Sequence, residues 1–159
     1  MILTMLTRRN LVLLAAGGSL GLLLGAFAFQ YIGNMAPCKL CIWQRWPHAV
    51  AIAAGLLALM MRGRFWPLVG MLGAATTGAI GLYHTGVERH WWEGPTSCTS
   101  SGTSGMSADD LLEQIMAAPL IRCDEVPWEM FTLSMATWNA IASFAFALVW
   151  LMAWKKSKA

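Results

Sequence analysis

Four apolar stretches, Leu11–Ile32, Ile42–Met61, Phe65–Tyr83 and Phe131–Trp154, occupy more than half of this 159-residue chain and decide what it can become. Each holds between 19 and 24 residues, and Arg45 is the one Asp, Glu, Lys or Arg among them. A hydrocarbon core of about 30 Å takes roughly 20 helical residues at 1.5 Å each, so every stretch is long enough to cross a bilayer. Backbone polar groups in lipid must be satisfied within the segment, which selects helix over open strand. Charged residues make up 12% of the chain, against about 25% in soluble domains, too few to cover a water-facing surface. The expectation is an all-α integral membrane protein of one domain, residues 1–159. Its four transmembrane helices run over about 11–32, 42–61, 65–83 and 131–154, with outer loops at 33–41 and 84–130. The first stretch is too long for the h-region of a signal peptide and is expected to remain as a helix.

Charge orients the bundle. Arg8 and Arg9 precede the first helix, Arg62 and Arg64 separate the second and third, and Lys155, Lys156 and Lys158 follow the fourth. These are seven of the 11 basic residues, all on one face, while all eight acidic residues fall on the other. The positive-inside rule makes the basic face cytoplasmic, with both termini inside. A net charge of +3 hides this separation, and no basic patch supports nucleic-acid binding. Tryptophans at several helix ends, Trp43, Trp46, Trp66, Trp128, Trp150 and Trp154, read as an interfacial belt.

Within the long outer loop, Gly- and Ser-rich turns give way to Ser107-Ala108-Asp109-Asp110, an N-cap followed by first-turn acids. Leu111, Leu112, Ile115 and Met116 then repeat at helical spacing until Pro119. The pattern predicts a short amphipathic helix lying on the membrane or the bundle.

The chemistry rests on four cysteines, none inside an apolar stretch. Cys38 and Cys41 form a CxxC pair at the start of the second helix, while Cys98 and Cys123 lie in the long loop. Charge places all four on the non-cytoplasmic side, where disulfides persist. Pro37 suits a first helical turn, and the unpaired N–H groups there favour a thiolate. Cys38, Cys41, Arg45 and His48 follow one another at +3, +4 and +3, so they share a helical stripe. A membrane-embedded arginine faces the bundle or snorkels to the headgroups, and its register with the thiols favours a role beside them. Pro47 is expected to kink the helix without ending it. A tetrahedral zinc site fits less well, because Cys98 and Cys123 lack paired-ligand spacing, so no metal is expected.

The run Pro37-Cys38-Lys39-Leu40-Cys41-Ile42-Trp43-Gln44-Arg45 resembles the Pro-Cys-x-Leu-Cys-Ile-x-x-Arg signature of the DsbB family, quinone-linked membrane oxidases that recharge the periplasmic thiol oxidase DsbA. The second cysteine pair and the four-helix layout extend the resemblance over nearly the whole chain. It implies a thiol:quinone oxidoreductase of the bacterial inner membrane, fed by a periplasmic DsbA-like partner and drained by the quinone pool, with ubiquinone or menaquinone as cofactor. Residue by residue it implies that Cys98 is attacked by the reduced partner. Cys123 is then released to attack Cys38, and Cys41 is left as the thiolate that meets the quinone beside Arg45. A histidine near the outer end of the third helix lines the quinone site in the best-known member of that family. His84 is favoured over His90 because it is nearer the bundle, and His48 is a further candidate.

Two other readings stay open on sequence. A vitamin K epoxide reductase-like enzyme shares the chemistry but is expected to carry its thiol motif near the end of the bundle. A non-catalytic scaffold with two structural disulfides would need a strained bridge across helical positions three apart.

Overall fold

The computed structural model describes residues 7–95, 107 and 122–157. Helix α1 spans Arg8–Tyr31, α2 Lys39–Met60, α3 Phe65–Glu88 and α4 Met135–Lys156. A two-stranded antiparallel hairpin, β1 (Glu129–Met130) and β2 (Leu133–Ser134), leads directly into α4. Cys98 and most of the expected amphipathic helix after Ser107 lie outside the described residues.

Three helices, α1, α3 and α4, are long and apolar enough to cross a membrane. Helix α2 has the length, 22 residues, but its first half carries Gln44, Arg45 and His48 and is less apolar. Large apolar side chains point outward along the bundle, among them Leu14, Leu24, Leu56 and Leu148, each about 60% exposed. Such a surface requires an apolar surrounding.

The helices pack through small residues, as bundles do where no hydrophobic effect drives association. One buried cluster joins Leu11, Val12 and Ala15 of α1, Ala58 of α2, Ala74 of α3, and Trp150 and Ala153 of α4. A Cβ placed on Gly70 would lie 2.6 Å from the Trp150 ring, and one on Gly55 2.4 Å from the Ala16 Cβ. Trp150 is therefore fully buried, which corrects the expectation that it marks an interface. Glycines on α2 and α3 create the slot that its indole fills. Trp43 and Trp46, by contrast, remain exposed near the start of α2.

The basic end of the bundle is tied together. Arg8 Nε donates to Ser157 Oγ at 2.9 Å, and Arg64 Nε donates to the Ser157 carbonyl at 3.0 Å. The start of α1, the α2–α3 turn and the end of α4 thus sit at one end. The α2–α3 turn uses Gly63 at φ +119°, where a side chain would be strained.

Two boundaries at the opposite end differ from the sequence expectation. Helix α3 continues past Tyr83 to Glu88, which puts His84 on the helix and not in the loop. The Thr85 hydroxyl bonds back to the Gly81 carbonyl at 2.9 Å, and Trp92 folds over the end, its Nε1 donating to the Tyr83 carbonyl at 3.0 Å. Helix α4 begins at Met135 and not Phe131, because Phe131 and Thr132 take positive φ values of 54° and 63° in the hairpin turn. A two-residue turn of that type needs φ > 0 at both positions and matches strand twist. Ser134 then caps α4, its Oγ accepting from the Thr137 N–H at 3.2 Å.

Candidate functional site

Helix α2 starts one residue after Cys38, which is its N-cap and not a first-turn residue. The Cys38 sulfur accepts the Cys41 N–H at 3.2 Å, the bond that serine or aspartate makes at ordinary caps. Cys41 lies in the first turn and packs against a buried cluster of Cys38, Leu40, Val87 and Cys123. Cys123 has no exposed surface, although it comes from the long loop. The structure therefore gathers three of the four sequence-predicted thiols, all free, at the open end of the bundle. A hydrogen bond with the Cys41 side chain and burial together push the Cys38 thiol up, so Cys38 is the member of the pair that keeps its proton.

His84 faces this cluster from α3. Its Nε2 lies 3.6 Å from the Cys38 sulfur and 3.8 Å from Glu88 Oε1. Glu88 is itself buried and its other oxygen accepts from the Ser134 hydroxyl. His90, the alternative, is exposed in the turn after α3.

The tautomer of His84 follows from hydrogen-bond bookkeeping that begins elsewhere. The Thr77 hydroxyl donates to the Gln44 backbone carbonyl at 3.0 Å, so its oxygen can only accept from Asn139, at 3.2 Å. That fixes the Asn139 amide with its nitrogen toward Thr77 and toward Gln44 Oε1, 2.6 Å away. Gln44 must then present its own nitrogen to His84 Nδ1 at 3.1 Å, while also donating to the Leu40 carbonyl at 3.3 Å. In neutral His84 the hydrogen is consequently on Nε2, aimed at the sulfur cluster. The side-chain donor atoms of Cys38, Cys41 and His84 lie within 4.8 Å of one another, close enough for a soft cation to bridge. The imidazole offers that space a hydrogen and not a lone pair, so the site is arranged to hydrogen-bond a sulfur.

Arg45 turns inward. Its Nη1 donates to Gln30 Oε1 at 2.6 Å and its guanidinium stacks over the Phe27 ring at 4.8 Å, both from α1. Its Nε is buried with no partner among the described residues. A cavity of about 570 Å³ opens between α1, α2 and α4, and Cys38, Cys41, Arg45, His48 and His84 all line it. Apolar residues such as Leu22, Phe29 and Met135 form much of the rest. Gln44, Thr77, Glu88 and Asn139 were not singled out from sequence. The signal for three of them was present, since polar side chains inside membrane helices are costly unless partnered and mark working sites.

The model of the disulfide bond formation protein DsbB family matches residues 8–153. The chain belongs to the DsbB family. Relatives named disulfide bond formation protein B match over most of this chain and most of their own length. The one from Shewanella denitrificans is 26% identical over 159 residues, covering 95% of this chain and 89% of its own. That from Shewanella frigidimarina is 29% identical over 150 residues, with 90% and 86% covered. Disulfide bond formation protein B 2 of Pseudomonas aeruginosa is 32% identical over 142 residues, with 84% and 83% covered. No solved structure matches the chain. As a DsbB-family protein it is a bacterial membrane oxidoreductase of disulfide bond formation, and its membrane helices agree with that class.

Proposed function

We propose that this DsbB-family chain oxidises a periplasmic DsbA-like dithiol and passes the electrons to membrane quinone, with α2 as the fourth membrane crossing and the cysteines on the periplasmic side. The observation that carries the reading is the packing of Cys123, a loop residue, against Cys38, with Cys41 on the wall of an apolar cavity.

The cavity residues fit a quinone. Its volume falls in the range of small-molecule sites, and its mostly apolar lining suits a flat, lipid-soluble ring. Arg45 Nε is a buried donor with no partner among the described residues, a costly condition unless a ligand supplies an acceptor. When bound there, a quinone supplies an acceptor for two electrons and two protons.

The chain's own residues perform the exchange. A partner thiolate attacks Cys98 of a Cys98–Cys123 disulfide, forming a partner–Cys98 bond and releasing Cys123 as thiolate. Cys123 then attacks Cys38 of a Cys38–Cys41 disulfide, and the Cys41 sulfur leaves with the electron pair. The His84 Nε2 hydrogen bonds a sulfur in this cluster and steadies charge as bonds exchange. Arg45 holds positive charge on the wall that Cys41 shares. The partner's second thiol attacks the partner–Cys98 bond, which leaves the partner oxidised and releases Cys98. Cys98 then attacks Cys123 of the Cys38–Cys123 bridge, restoring Cys98–Cys123 and releasing Cys38. The two electrons and two protons of the Cys38–Cys41 dithiol would pass to the quinone.

The purified protein, mixed with reduced DsbA-like partner and a ubiquinone or menaquinone analogue, is expected to bleach the quinone absorbance in step with partner oxidation. Absence of turnover with every pairing would sink the enzymatic reading. A membrane-impermeant maleimide applied to spheroplasts should label reduced Cys41; labelling only after lysis would reverse the orientation.

A further inference from the structure

The hydrogen-bond chain that orients His84 also orients His48, and this has no role in the thiol exchange. With the Asn139 amide nitrogen committed to Thr77 and Gln44, its oxygen faces His48 Nε2 at 2.8 Å. Ser143 Oγ, 3.3 Å from the same oxygen, donates to it in this orientation. Carbonyl-type oxygens only accept, so His48 Nε2 carries the hydrogen and, in the neutral ring, Nδ1 is a bare lone pair. His48 is 3% exposed, its Nδ1 has no partner among the described residues, and the residue lines the cavity. One turn earlier on the same helix, Arg45 Nε–H is an unpartnered donor on the same wall. The cavity therefore presents one orphan donor and one orphan acceptor.

A quinone offers only acceptor oxygens and can satisfy Arg45 alone. We infer that His48 Nδ1 accepts a hydroxyl of the cavity ligand, so that the site is built to hold a hydroquinone, with Arg45 taking its other oxygen. This rests on the reading of the cavity as a quinone site and adds which redox form it recognises through which residue. An acceptor left bare when its hydroxyl is removed loses about one to two powers of ten in binding.

The test is calorimetric binding to the full-length protein in detergent, without oxygen and with its disulfides formed. The ligands are a short-chain benzoquinone, its hydroquinone and the dimethyl ether of that hydroquinone. In the unmodified protein the hydroquinone is expected to bind about tenfold tighter than the ether. In His48→Leu that gap should close while benzoquinone affinity changes less than about twofold. His48→Asn, which keeps an acceptor near the Nδ1 position, should restore part of the gap. Equal affinities in the unmodified protein would overturn the inference and leave the quinone reading standing. A gap that persists in His48→Leu would be steric and would also overturn it. If none of the three ligands binds, the quinone reading falls and the inference with it.

Discussion

The Thr77 hydroxyl reaches from α3 to the Gln44 carbonyl on α2, 3.0 Å away, and that one bond sets the direction of every hydrogen in the polar chain. From it follow the orientation of Asn139, the tautomers of both buried histidines, and the face that each shows to the site. A side chain hydrogen-bonded to Gln44 and Asn139 thus decides whether His84 offers the thiols a hydrogen or a lone pair.

Thr77→Val, nearly isosteric, removes that director. Loss of this buried hydrogen bond, with one Asn139 amide hydrogen left without its Thr77 acceptor, should destabilise the protein by about 1–3 kcal/mol, read from denaturant unfolding in detergent. Nitrogen NMR of labelled histidine should show each ring changing from one tautomer to a mixture. A single unchanged tautomer at both positions would disprove the bookkeeping.

Arg45→Met keeps the length and removes the donors. The apparent KM for quinone is expected to rise about 10- to 100-fold with oxidation of the partner otherwise intact, since hydrogen bonds from charged groups contribute about 1.5–3 kcal/mol. An unchanged KM would assign Arg45 to bracing α2 against Gln30 and Phe27 of α1.

The two thiols of the CxxC pair should differ in reactivity. Cys38 is 6% exposed and its thiol is pushed up, so its thiolate appears only above the ordinary thiol range. Raising the pH through that range should therefore leave Cys38 protonated while alkylation of the reduced protein, mapped by mass spectrometry, proceeds at Cys41 first. Equal rates for the two at neutral pH would contradict this assignment.

Gly70 and Gly17 make a matched pair. A methyl on Gly70 meets the Trp150 ring at 2.6 Å, whereas Gly17 has nothing within 4 Å. Gly70→Ala is expected to destabilise by about 1–3 kcal/mol through overpacking, and Gly17→Ala to be neutral or slightly stabilising. Unfolding curves in one detergent distinguish them, and equal effects would mean that the indole slot gives way.

Trp150 shows where one-dimensional reading stops. Its place near the end of an apolar run looked interfacial, but the glycines that accept it belong to two other helices. His84 is similar: nothing local announced that α3 would run on to Glu88 and carry the ring into the bundle, because Trp92 folding back over the helix end is a tertiary event. The hairpin before α4 was also hidden, since Phe131 and Thr132 are poor advertisements for a positive-φ turn.

Properties that depend on spacing along one element were legible before any fold was known. Apolar run length identified membrane helices, and 3.6-residue periodicity put Cys38, Cys41, Arg45 and His48 on one stripe. Properties that depend on two elements meeting were decided only by packing. These are the burial of Cys123 beside Cys38, the inward turn of Arg45 onto α1, and the Thr77–Asn139–Gln44 chain that gives each imidazole its hydrogen. Helical register is a local consequence of backbone geometry, whereas a hydrogen bond's direction depends on which partner faces it across the bundle.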